Sequence, residues 1–220
     1  MIKDLIRILS HVSRRHDEVK ELRIVLKEID RDIPFEKNSY LLPLVSEERR
    51  ERIFRLKNDH MKNVSLFAEI TMIEEAAKDL SLSKESIRIE KTDLGKPYVS
   101  GFENYHISLS HCDGMILFAS DSSPVGVDIE KPKTNFERIA KRFFTEDEYH
   151  RIKNAHSPAD EFLLVWTRKE AFVKLTGEGL KRALDSFNVY DEEICSYQTK
   201  TTMSKISGKK YHYSICYNKK

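Results

Sequence analysis

Asp128, Glu130, Glu170 and Lys174 are the residues of this chain whose types and spacing can do chemistry. In the run Val125-Gly126-Val127-Asp128-Ile129-Glu130, apolar residues alternate with Gly126, Asp128 and Glu130. A strand sends successive side chains to opposite faces, so one face packs into a core and the other presents two carboxylates together. Like charges at that separation repel, and a cation between them relieves the repulsion. Oxygen-only ligands select a hard ion such as Mg2+, which commonly takes one or two carboxylates with substrate phosphate and water. On the alternation alone, two solvated acids at a strand end are the ordinary alternative.

Glu170 and Lys174 belong to a helical run. Ser157 suits an N-cap, Pro158 the first helical position and Gly177 the C-terminal stop. Trp166, Glu170 and Lys174 recur at i, i+4 and i+8, along one side of that helix. A Glu–Lys pair at this spacing is ordinarily a surface ion pair worth roughly 0.3–0.5 kcal/mol. Here an aromatic residue precedes it on the same stripe, and Phe172 and Val173 flank it.

Taken with three further segments, these runs resemble the Sfp-type 4′-phosphopantetheinyl transferases. The family's G-[IV]-D-[IV]-E strand stands here as Gly126 through Glu130, and its W-x-x-K-E-[AS]-x-x-K helix as Trp166 through Lys174. Gly95-Lys96-Pro97, Ile107-Ser108-Leu109-Ser110-His111 and Lys141-Arg142-Phe143-Phe144 match other family segments, in family order, over residues 22–190. One place departs: the family's Asp-x-His-[RK] run reads Asp59-His60-Met61-Lys62, with methionine for histidine.

The resemblance implies an α+β fold of two similar lobes with the active site between them. The lobes would span residues 21–122 and 123–220, joined at Ser122-Ser123-Pro124, after an amphipathic extension over residues 1–20 that the family pattern does not cover. It also implies the reaction: Mg2+-dependent transfer of the 4′-phosphopantetheine arm of coenzyme A to a serine of an apo acyl or peptidyl carrier protein, with release of 3′,5′-adenosine bisphosphate. Asp128, Glu130 and Glu170 become the metal ligands, for Mg2+ or alternatively Mn2+, with Glu130 binding directly or through a water. Glu170, Lys174 and His111 become the catalytic set, and either Glu170 or a bound water is the base toward the serine. Coenzyme A would be held by Arg49, Arg52, Lys57, Lys62, Lys96, Ser110, His111 and Lys174. Arg142, Phe143, Phe144 and Tyr149 are candidates for the carrier-facing surface. Two other classes stay open: another Mg-dependent phosphoryl-transfer enzyme, and a non-catalytic relative that binds carrier protein or coenzyme A. Retention of Asp128, Glu170 and Lys174 together favours catalysis.

Bulk properties fit this reading without establishing it. A net charge of +2 creates no field calling for nucleic acid or a membrane surface. No apolar stretch approaches the roughly 20 residues of a membrane helix. Three cysteines without CxxC spacing suit reduced thiols and a cytoplasmic setting, and a two-lobed chain is expected to be a monomer. Patterning predicts an N-terminal helix along Ile2–Val12, a strand over Leu22–Ile29, a helix over Ser46–Leu56 and a longer one capped by Asp59. It places strands at Ile87–Ile89, Tyr105–Ser110, Met115–Ser120, Val125–Glu130, Phe187–Tyr190 and Tyr211–Tyr217. Helices follow at Asn135–Phe144 and Thr145–Ala155, the second opened by a Thr145/Glu148 capping box, and residues 201–210 read as a loop or hairpin.

Overall fold

Long amphipathic helices and short alternating strands make this a mixed α+β chain, seen in a computed structural model that describes residues 22–179, 182–191, 196–205 and 207–218. The expected N-terminal extension and its helix lie outside the described residues. Strand β1 (Arg23–Glu28) pairs antiparallel with β5 (Met115–Asp121), which pairs in turn with β4 (His106–Cys112). A second antiparallel sheet has the order β6 (Val125–Glu130), β8 (Lys210–Tyr217), β7 (Ser196–Met203). A two-stranded ribbon, β2 (Ile89–Lys91) with β3 (Pro97–Val99), completes the strands described.

Each three-stranded sheet carries a long helix. Helix α2 (Asp59–Leu80) follows the short α1 (Glu47–Arg55). Asn58, not Asp59, is its N-cap, accepting the Met61 amide, and Ser81 stops it with a left-handed φ of 55°. Its apolar residues, Val64, Phe67, Ile70, Ile73 and Ala77 among them, are buried against the first sheet as expected. Helix α5 (Pro158–Thr176) covers the second sheet, packed also by α3 (Phe136–Phe143) and α4 (Glu146–Asn154). The Thr145/Glu148 capping box forms at the start of α4, and Gly177 ends α5 at a φ of 76°.

The two sheets share one core, built from Met115, Leu117 and Ala119 of β5, Val125, Val127 and Ile129 of β6, and Tyr211, Tyr213 and Ile215 of β8. This burial fixes the register of β6, because a slip of one residue would turn Asp128 into the core.

The structure differs from the sequence expectation in further places. The strand expected at Ile87–Ile89 runs instead over Ile89–Lys91. Phe187–Tyr190 is not a strand. Its backbone polar groups are satisfied by buried side chains instead: the Lys169 ammonium donates to the carbonyls of Leu184 and Phe187, both at 2.6 Å, and Glu148 accepts the Val189 amide at 2.9 Å. Conversely, Ser196–Met203 is an edge strand that its polar composition hid. Finally, Cys112 is free but Cys216 is disulfide-bonded, so the expectation of reduced thiols throughout does not hold for Cys216. Among the described residues no helix is long and apolar enough to cross a membrane.

Candidate active site

Gly126 decides how close the second sheet comes to its helix. A Cβ there would lie 1.9 Å from the Ala171 carbonyl oxygen and 2.4 Å from the Leu175 amide nitrogen. Only glycine permits that backbone approach. With α5 seated on Gly126, the outward face of β6 meets the stripe carrying Glu170 and Lys174. Lys174 Nζ then donates to Asp128 Oδ1 at 2.7 Å.

From the first sheet, β4 offers small side chains at alternate positions. Ser108 Oγ accepts the Val127 amide at 3.0 Å, Ser110 Oγ donates to Asp128 Oδ1 at 2.7 Å, and Cys112 Sγ lies 3.5 Å from Glu130 Oε2. The alternation Ser108, Ser110, Cys112 was the available signal for this junction; only Ser110 was read from the sequence. Burial first, and the Glu130 carboxylate second, push the Cys112 thiol up to about 11, so it stays protonated at neutral pH.

Burial first, and the neighbouring Asp128 second, raise the Glu170 carboxyl above its ordinary range, against the pull of Lys174. Asp128 is 4% exposed, and its second oxygen, Oδ2, is buried with no hydrogen-bond partner. A buried carboxylate oxygen left unpaired is costly, and a cation is the species that would satisfy it. Oxygen donors with an orphaned lone pair fit a hard divalent ion. Lysines stand in part of that role here: Lys174 on Asp128 and Lys133 on Glu130, the latter at 2.9 Å. Among the described residues no three His, Cys, Asp or Glu side chains already converge as a metal cluster. Lys133 also lies 4.4 Å over the Trp166 ring, a contact the sequence reading did not find.

His111 is exposed near the end of β4. Desolvation by the protein, then the charges of Arg49, Arg52 and Lys174, hold its protonation below the ordinary histidine range, with Asp128 opposing. Arg49 and Arg52 of α1 and Lys174 of α5 thus act electrostatically on one imidazole. Of the other expected coenzyme ligands, Lys96 lines the cavity that Glu170 and Lys174 also line. Lys96 donates to the Leu175 carbonyl at 2.6 Å, capping the end of α5, and its stem packs on Gly177. Lys62 sits 5.6 Å over the Phe35 ring and Lys57 is exposed between α1 and α2. Of the carrier-facing candidates, Phe143 is exposed under the Arg142 guanidinium, whereas Phe144 is buried and Tyr149 packs on the same core.

A cavity of about 280 Å3 opens beside the carboxylates, lined by Leu94, Leu109, Val173 and Leu184 together with Glu170 and Lys174. A larger shallow hollow of about 660 Å3, lined by Asp147, His150, Arg151 and Tyr190, holds none of these residues.

Known proteins share this arrangement at the level of sequence. The family model described as the 4′-phosphopantetheinyl transferase superfamily matches residues 124–218, the segment carrying β6 and α5. The 4′-phosphopantetheinyl transferase Sfp of Bacillus subtilis (strain 168) is 33% identical over 163 residues, covering 73% of this chain and 73% of that protein. The 4′-phosphopantetheinyl transferase gsp of Aneurinibacillus migulanus is 31% identical over 187 residues, covering 84% and 74%. The 4′-phosphopantetheinyl transferase psf-1 of Bacillus pumilus is 36% identical over 149 residues, covering 67% and 64%. With the GVDIE strand and the WTRKEAFVK helix meeting at Gly126, the chain belongs to the Sfp-type 4′-phosphopantetheinyl transferases and is an enzyme of that class.

Proposed function

We propose that this enzyme moves the 4′-phosphopantetheine arm of coenzyme A onto a serine of an apo acyl or peptidyl carrier protein, with Mg2+ as its metal. The observation that carries the reading is Asp128, buried, bonded on one oxygen by Ser110 and Lys174, and orphaned on the other beside a Glu170 that its charge disfavours. Asp128 and Glu170, with Glu130 directly or through a water, would hold Mg2+, which would supply neutralisation of the pyrophosphate oxygens.

The chain's own residues do the rest. Lys174 places an ammonium at the phosphates, and Arg49, Arg52 and His111 offer further donors to them. Glu170, with its proton affinity raised, suits a base that takes the proton of the incoming serine hydroxyl. The cavity beside it is apolar on one side and fits the aliphatic and amide pantetheine arm, which would exclude water from the reacting end. The lobes proposed at residues 21–122 and 123–220 are supported by the pairing of one three-stranded sheet with one long helix on either side of residue 122.

Intact-mass spectrometry tests this directly. Apo carrier proteins of fatty-acid, polyketide and peptide type are incubated with the enzyme, coenzyme A and Mg2+. A gain of one phosphopantetheine mass, abolished by EDTA, is the expected result. No gain on any carrier sinks the proposal.

A further inference from the structure

Glu69 is a buried carboxylate in the middle of α2 that the chemistry above does not use; it is 4% exposed. Its Oε1 accepts the Ser46 amide at 2.6 Å, and its Oε2 accepts the Ser46 hydroxyl at 3.2 Å and Arg49 Nε at 2.9 Å. Ser46 is the N-cap of α1, and its hydroxyl in turn accepts the Arg49 amide at 3.2 Å. Arg49 Nη1 is taken up by Ser65 Oγ at 3.4 Å, so two residues of α2 hold the guanidinium. The grip lies indoors: the Arg49 side chain is 10% exposed.

A guanidinium has five donors in a fixed planar fork. With Nε and one Nη1 donor engaged, Nη2 has no hydrogen bond among the described residues. The Arg49 charge also acts on His111. A free arginine here could swing toward solvent. A gripped one is pre-organised for a phosphate, and the entropy of orienting it is spent in folding and not in binding.

We infer that Glu69 is a positioning residue for the coenzyme: through Nε it fixes the Arg49 guanidinium so that its free Nη2 group meets a phosphate of coenzyme A. The inference rests on the coenzyme A site proposed above. It separates Arg49 from Arg52, which is exposed and has no such anchor.

A structural role, in which Glu69 merely anchors the N-terminus of α1, makes a different prediction. Calorimetric titration with coenzyme A in the absence of carrier measures binding alone, and steady-state transfer separates KM from kcat. Glu69→Gln keeps an acceptor for the Ser46 amide and loses the charge that faces Arg49. It is expected to weaken coenzyme A binding about tenfold and raise its KM alike, with kcat unchanged within about twofold. In an Arg49→Ala background the same substitution is expected to have no further effect on binding, because the two residues act as one unit. Arg49→Lys keeps the charge without the fork and is expected to weaken binding about as much as Glu69→Gln, which keeps the test alive if the Glu69 variant fails to fold. The inference is overturned if Glu69→Gln and Arg49→Lys bind coenzyme A like the wild type, or if Glu69→Gln weakens binding equally with and without Arg49. A wild-type protein that binds no coenzyme A overturns the proposed site itself and this inference with it.

Discussion

Lys174 Nζ stands 2.7 Å from Asp128 Oδ1, joining α5 to β6, whose backbones approach closely at Gly126. Lys174 is 31% exposed on its side chain and Asp128 only 6%, so removing the lysine leaves a buried carboxylate with Ser110 as its remaining donor. Lys174→Met is therefore expected to lower stability by about 1–3 kcal/mol and the transfer rate by about 10²–10³-fold. Without its resident ammonium the acid pair has a greater need for a cation. Mg2+ is expected to raise the unfolding temperature of the variant more than that of the wild type. Thermal unfolding with Mg2+ or EDTA checks this; equal shifts would argue against a cation between Asp128 and Glu170.

Lys133 gives the site an optical reporter. The chain has one tryptophan, Trp166, and Lys133 holds its ring face while donating to Glu130. A divalent ion that competes for Glu130 draws on the same lysine. Adding Mg2+ in the presence of coenzyme A is expected to change Trp166 emission, and Lys133→Met to abolish most of that change. An unaltered response in the variant would mean that Glu130 takes no part in metal binding, even through a water.

How legible the site was depended on how local its signal was. Asp128 and Glu170 could be read because a period of two and a period of four each put them on a polar face between apolar neighbours. The family resemblance supplied what those periods could not, the fact that the two faces meet. Gly126 showed in the sequence as a motif letter, and its reason, a helix backbone within 1.9 Å of where a Cβ would stand, is visible only in three dimensions. Lys96 showed as a motif letter, but its bond to the end of α5 did not show: a helix terminus with unpaired carbonyls attracts a cation, and Lys96 donates there while lining the cavity with Glu170 and Lys174. Glu69 left no pattern at all, since its partners lie on other elements, and Lys169 showed only as a letter of the helix motif, its partner Glu148 standing on α4.

His111 predicts a pH dependence of binding. Its protonation is held below the usual value near 6.5 by crowding and by Arg49, Arg52 and Lys174. In the free protein the depressed pKa gives stability that is present above that value and lost as pH falls through the folded pKa. An anionic phosphate beside the ring favours the imidazolium, so binding coenzyme A raises the pKa and takes up protons. Titration calorimetry at about pH 6.5 in buffers of different ionisation enthalpy is expected to show proton uptake that shrinks by about pH 8.5 and is reduced in His111→Gln. Identical uptake in the variant would place His111 away from the phosphates.

Lys169 directly precedes Glu170 on α5, yet it points the other way, fully buried with Glu148 2.8 Å from its ammonium. Two carbonyls, of Leu184 and Phe187, complete its donors, and Glu148 spends its remaining capacity on the amides of Thr145 and Val189. Every polar atom of the pair is thus matched, the condition under which a buried ion pair is tolerated. The pair also holds Leu184, a wall of the cavity beside Glu170. Lys169→Met would strand Glu148 as an unpaired buried charge and release that wall. The variant is expected to lose about 3–5 kcal/mol, and its KM for coenzyme A to rise more than its kcat falls, because the reacting carboxylates stay on β6 and α5. Adding Glu148→Gln removes the stranded charge and is expected to recover part of the stability without restoring the KM. Denaturant unfolding and transfer kinetics on the single and double variants measure both; a double variant no more stable than Lys169→Met alone would show that Lys169 holds the loop by its carbonyl bonds and not by its charge.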